Sequence, residues 1–233
     1  MARITRKELK TDKFALEVEH TAEFFEEHRT EIFRYGAAGL VVLVLIFGYI
    51  WYSRGQQATR EQALSQAIQV QEAPVGGISA NGGLTFATQQ AKDQEAIKAF
   101  TGLTGKYPGS SEGEIAQYYL GAILADQGKL AEAEKSFQEV AQKGNDKYAA
   151  LAKLSLAQIY FGDGRDAQGE STLRDLMAHP TVFVSKEQAQ ITLARYLMGK
   201  NPGEARKLLD PLRTMGGSVG QVAITLYGEL PQQ

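Results

Sequence analysis

Residues 120–137 read LGAILADQGKLAEAEKSF, and residues 156–173 read LAQIYFGDGRDAQGESTL. At an offset of about 36 residues Leu120 faces Leu156, Gly121 faces Ala157, Gly128 faces Gly164, Ala133 faces Gly169 and Phe137 faces Leu173. A weaker copy follows in Leu193, Ala194, Leu197, Ala205, Leu209 and Leu212, and a partial one precedes in Ala96, Phe100, Leu103 and Pro108. Apolar residues at helical spacing, repeated with this period, predict helical hairpins stacked as a solenoid.

The residue types have physical reasons. A small side chain at Gly121, Ala157 and Ala194, and again at Ala133, Gly169 and Ala205, lets two antiparallel helices approach where they cross. Phe100, Phe137 and Leu173 are expected to fill the space between neighbouring hairpins. Gly128 and Gly164 sit in the turns Asp126-Gln127-Gly128-Lys129 and Gly162-Asp163-Gly164-Arg165, where a first helix must stop, and Asn201-Pro202-Gly203 serves the last pair. Pro108 and Pro180 mark the ends of second helices.

This spacing resembles the tetratricopeptide repeat. Leu120, Gly121, Gly128, Ala133 and Phe137 match the family's signature positions, and Tyr160 matches its aromatic in the second repeat. The family's first-helix aromatic is replaced by Gln117 in one repeat and Lys153 in the next, and Asn145 stands where a Pro would end the first. The match is carried by residues 89–215, and the repeats are degenerate.

Upstream, Tyr35 to Tyr52 is an uncharged run bounded by Arg34 and Arg54. As a helix it reaches roughly 27 Å, close to the ~30 Å hydrocarbon thickness of a bilayer. Tyr35, Tyr49, Trp51 and Tyr52 at its ends are the aromatics that favour the headgroup level. The expected architecture is therefore all-α, one N-terminal transmembrane helix followed by a tetratricopeptide-like helical-hairpin solenoid. It divides into a charged cytoplasmic helical head (1–34), the span (35–52), a membrane-proximal helix and Gly-rich loop (53–88), the repeats (89–215) and a C-terminal capping helix and tail (216–233). In the head, Val18, Phe25 and Ile32 recur on one helical face opposite a row of glutamates. The helix expected over Gln56 to Glu72 leads into Ala73 to Gly83, which is loop chemistry with nothing to build a strand from.

Net charge is −2 and the soluble part carries no Lys/Arg cluster, so nucleic acid is excluded as an expected partner. With no cysteine and only His20, His28 and His179, neither thiolate chemistry nor a histidine metal site is expected, and no cofactor is. Ser110 and Ser111 lie in a loop without a nucleophile elbow and read as cap or turn residues. What remains is a groove. By the family pattern the first helices line the concave face, which points to Tyr118, Ala122, Asp126, Gln158, Phe161 and Arg195 as protein-binding residues, with Leu154 and Ile191 shared between groove and core.

A charged head, one span, a helix leaving the membrane and then tetratricopeptide-like hairpins also resemble the YfgM-type ancillary subunits of the SecYEG translocon. The stretch from Tyr107-Pro108-Gly109-Ser110-Ser111 to Ala116, Tyr119, Leu120 and Gly121 resembles the repeat domains of CpoB and BamD. The first resemblance implies a single-pass inner-membrane protein with a cytoplasmic N-terminus and a periplasmic domain. Its partners would be proteins: translocon subunits, periplasmic chaperones or emerging envelope proteins. The alternatives are a scaffold for cell-division or outer-membrane assembly machinery, and a membrane-tethered enzyme with an unrecognised site.

Overall fold

The computed structural model describes residues 29–77 and 83–231. The head helix expected before residue 29, and the centre of the Gly-rich loop, lie outside the described residues. Within them the chain is all-helical: α1 (Arg29–Glu72), α2 (Gln89–Lys106), α3 (Ser111–Asp126), α4 (Leu130–Lys143), α5 (Asp146–Gly162), α6 (Asp166–Ala178), α7 (Lys186–Leu197), α8 (Pro202–Leu209), a 3₁₀ turn (Asp210–Leu212) and α9 (Gly217–Glu229). Contacts divide the chain into two units between Ala58 and Thr59.

In the first unit, α1 carries the uncharged run on all its faces, and Leu40, Leu45, Phe47 and Trp51 are exposed. By length and composition this helix can cross a membrane. An all-helical backbone satisfies its own hydrogen bonds, so exposed apolar side chains without a protein neighbour are what a bilayer accepts. The helix expected over Gln56 to Glu72 is the continuation of α1.

The second unit starts with the last turns of α1. Leu64 and Ala67 are buried with Ala96, Phe100 and Leu103 of α2 and Ala116 and Ile123 of α3. Arg60 Nε donates to Glu112 at 3.0 Å, and Glu112 is buried in the first turn of α3, where a negative charge meets the helix N-terminus. The α1–α2 connection is not wholly irregular. Val75 and Phe86 form an isolated parallel bridge, with Gly76 N–H on the Phe86 carbonyl at 2.9 Å and Phe86 N–H on the Pro74 carbonyl at 3.1 Å. Composition alone conceals such a single rung.

Three hairpins follow: α3–α4, α5–α6 and α7–α8. The first two turns share one device. Gly128 and Gly164 take φ values of 75° and 73°, the left-handed region that only glycine enters without strain. Lys129 N–H then reaches the Leu124 carbonyl at 2.9 Å and Arg165 N–H the Tyr160 carbonyl at 2.7 Å, a Schellman closure in each case. The third turn uses Asn201, whose side chain accepts from Glu204 N–H, with Pro202 at the first helical position. First helices begin on side-chain caps: Ser110 Oγ accepts from Gly113 N–H at 3.1 Å, Asn145 Oδ1 from Tyr148 N–H at 3.2 Å, and Ser185 Oγ from Gln188 N–H at 3.1 Å.

The core runs through the hairpins as successive clusters. Phe137, Val140, Ala133, Leu124 and Leu156 form one, and Leu173, Leu193, Ala194, Ala205, Leu209 and Leu212 belong to the next. All of the small crossing residues predicted from the period are buried. Helix α9 covers the last hairpin through Ala223 and Leu226, which join the same cluster together with Leu230 just after the helix.

Candidate protein-binding groove

First helices present two kinds of surface. Along their N-terminal halves aromatic rings join one hairpin to the next. Tyr118 of α3 lies 5.6 Å from Phe137 and 5.6 Å from Tyr148 of α5, and Tyr148 lies 5.5 Å from Phe183, edge to face. Burial pushes the Tyr118 hydroxyl above its ordinary pKa, opposed by a hydrogen bond with Ser155, and burial raises Tyr148 as well. Both phenols stay neutral and act as packing groups with a polar tip.

Elsewhere the first helices open into a cleft of about 390 Å³ between α5, α7 and α9. Leu154, Ile191, Val219 and Val222 supply its apolar surface, and Gln158, Gln188, Thr192 and Ser218 supply neutral hydrogen-bonding groups. Arg195 is the only charged residue in the lining. Positions 158 and 195 share a cleft because each follows the small crossing residue of its first helix, Ala157 and Ala194, so both point away from the hairpin interior.

Of the residues singled out in the sequence, Gln158 and Arg195 are brought together here, along with Leu154 and Ile191. Leu154 serves both roles, since it is buried against the core while forming the cleft floor. The other four lie elsewhere. Tyr118 is half-buried among aromatic rings, Ala122 is half-buried against the Phe137 cluster, and Asp126 is exposed at the end of α3. Phe161 has one side against Gly169, and it stacks on Tyr196 at 3.6 Å between ring centroids. Sequence reasoning missed Ser218, Val219 and Val222, because α9 has no counterpart in the repeat period.

Several charged side chains elsewhere on this unit are paired, some of them across helices. Arg165 bridges Glu134 and Asp163, each at 2.7 Å, Arg174 bridges Glu170 and Glu204, and Lys200 contacts both Asp166 and the Tyr196 hydroxyl. A second cleft, of about 300 Å³, holds Asp146, Lys153, Asp175 and His179. There Lys153 Nζ lies 2.7 Å from Asp175 and His179 Nδ1 3.0 Å from the same carboxylate. The Lys153 bond chiefly, with His179 adding, holds the Asp175 carboxyl below its usual range. These groups tie α5 to α6. Among the described residues no cluster of His, Asp or Glu is placed to hold a metal ion.

No curated protein and no solved structure matches the chain. A family model described as a tetratricopeptide repeat-like domain matches residues 23–206, most of the chain. Repeat domains of this kind are typically non-enzymatic scaffolds that act through protein partners. The glycine-closed hairpins, their small crossing residues and this match agree: the chain belongs to the tetratricopeptide repeat-like family.

Proposed function

We propose that this chain is a membrane-anchored, protein-binding repeat module of the periplasm, acting as an accessory, chaperone-like factor at the Sec translocon. In this reading residues 1–34 lie in the cytoplasm, 35–52 cross the inner membrane, and the hairpins of 89–215 hold segments of other proteins. The observation that carries the binding reading is the cleft between α5, α7 and α9. It combines an aliphatic floor, neutral amides and hydroxyls, and one cation, which is the composition of a surface that receives polypeptide rather than one that breaks a bond. The uncharged run of α1 and its flanking aromatics support the anchor. The Sec assignment rests on the resemblance of the whole layout to YfgM-type subunits. Tethering raises the local concentration of a groove that binds each segment weakly, so modest affinity suffices beside a channel.

Site-specific photo-crosslinking of the full chain in its native membrane tests this. A probe at Gln158 is expected to capture translocon subunits and many envelope proteins, while a probe at exposed Lys135 on α4 captures far fewer. Capture of a single cell-division or outer-membrane assembly protein from Gln158, without translocon subunits, overturns the Sec assignment. Equal capture from both positions overturns the groove.

A further inference from the structure

We infer that the α5–α7–α9 cleft is selective, taking an extended partner segment in which an acidic residue lies among aliphatic ones, its carboxylate on Arg195. This rests on the protein-binding reading above and specifies its ligand. The argument begins with how this chain treats its other guanidinium groups. In the second unit Arg60, Arg165, Arg174 and Arg213 each hold a carboxylate, and Arg206 donates to the Pro231 carbonyl at 2.7 Å. Arg195 is exposed and, among the described residues, holds none. No Asp or Glu lines the cleft to neutralise it.

The uncharged part of the lining constrains the occupant further. Leu154, Ile191, Val219 and Val222 offer room for a few aliphatic side chains. Gln158 and Gln188 carry both donors and acceptors, which match the unpaired N–H and C=O groups of an extended backbone without reading its sequence. A helix satisfies its own backbone and leaves these amides idle. Backbone contacts therefore give tolerance, and the single cation gives preference by charge. The third wall comes from α9, which begins at Gly217, beyond the residues 23–206 matched by the family model. The apolar wall of the cleft thus belongs to this chain's C-terminal helix as much as to its repeats, while the charge that selects belongs to α7.

The test uses the full chain in detergent micelles and the peptide Ser-Val-Asp-Val-Ser-Leu-Ser, its N-terminus capped by an uncharged fluorophore and its C-terminus amidated so that Asp is its one charge. Two further peptides carry Asn or Lys in place of Asp. Fluorescence anisotropy is expected to rank Asp tightest, Asn about fivefold weaker and Lys weakest, the scale of one charge-assisted bond at a partly exposed site. Arg195→Glu lies on the surface and leaves the fold intact, so it should invert the order of the Asp and Lys peptides. Val222→Gln, which removes apolar surface without adding charge, should weaken all three. Equal affinity of the three peptides for the unaltered chain overturns the charge selectivity while the groove stands. No binding of any peptide, or binding indifferent to Val222→Gln, overturns the groove itself.

Discussion

The hairpins α3–α4 and α5–α6 pack one crossing with opposite assignments. In the first, glycine is on the first helix and the ring on the second: a Cβ built on Gly121 would stand 2.9 Å from Cε1 of Phe137. In the second, the glycine is Gly169 on the second helix, and the ring crowding it is Phe161 on the first. At the repeat offset Phe161 replaces Ala125, Gly169 replaces Ala133, Leu173 replaces Phe137 and Ala157 replaces Gly121. The ring has moved from the second helix to the first, and in each crossing a glycine on the other helix makes room for it. Close packing constrains a ring and the residue facing it jointly more than the identity of either, which is why the repeats look degenerate and still stack.

The exchange has unequal consequences, and truncation exposes them. Phe137 is 1% exposed, whereas Phe161 is half-buried with Tyr196 on one face. Phe137→Ala is expected to cost about 4 kcal/mol, the usual scale for a fully buried ring, and Phe161→Ala about half of that. Urea unfolding of both variants, followed by helical circular dichroism, checks the ratio. Equal losses would mean that the second ring is as central as the first.

A smaller effect tests whether glycine and ring are coupled. Gly121→Ala gains about 1 kcal/mol of helix propensity but overpacks a buried ring at about 1–3 kcal/mol, so a net loss of about 1 kcal/mol is expected. Adding Phe137→Leu, which imitates the Ala157 and Leu173 pairing of the second hairpin, should recover part of that loss. The double mutant is then expected to be about 1 kcal/mol more stable than the sum of the singles. Strict additivity in the cycle would dissolve the argument that volume is shared across the crossing.

How much of this the sequence discloses depends on whether the information is local or periodic. Turn glycines are local: Gly128 and Gly164 stand in short polar turns, and their positive φ follows from the need to stop a helix and reverse. Caps such as Ser110 are local too. The buried set is periodic, so the repeat offset delivers it as far as Leu212. The offset cannot tell which helix a ring leans on, and so the contact of Phe161 with Gly169 and Tyr196 was not readable. Nor can it reach α9, which has no second copy to align against. The groove divides in the same way: Gln158 and Arg195 follow from register, and the wall formed by Ser218, Val219 and Val222 does not.

The smallest expected effect distinguishes the two hairpins by pH. Lys153 and Asp175 join α5 to α6, and their counterparts at the repeat offset are Gln117 and Glu139, which form no ion pair in the structure. Lys153 first, then His179, holds Asp175 below its ordinary value. A carboxyl lowered on folding adds stability that is complete above its unfolded pKa, about 4, and fades as pH falls through the lower folded value. The second hairpin should therefore lose a tie on acidification that the first never had. Both partners are substantially exposed and solvent-screened, so the neutral-pH difference in Tm between the unaltered chain and Asp175→Asn should be only about 1–2 °C. That difference should narrow as pH falls below about 4 and close once pH has passed the lowered folded value, because protonation then removes from the unaltered chain what the substitution removed at the start. Glu139→Gln, at the matching position of α4, should give a Tm curve parallel to the unaltered one across the same range. A gap for Asp175→Asn that does not narrow at all as pH falls below about 4 would show that Asp175 acts through packing, and the two hairpins would then differ only in where they keep their rings.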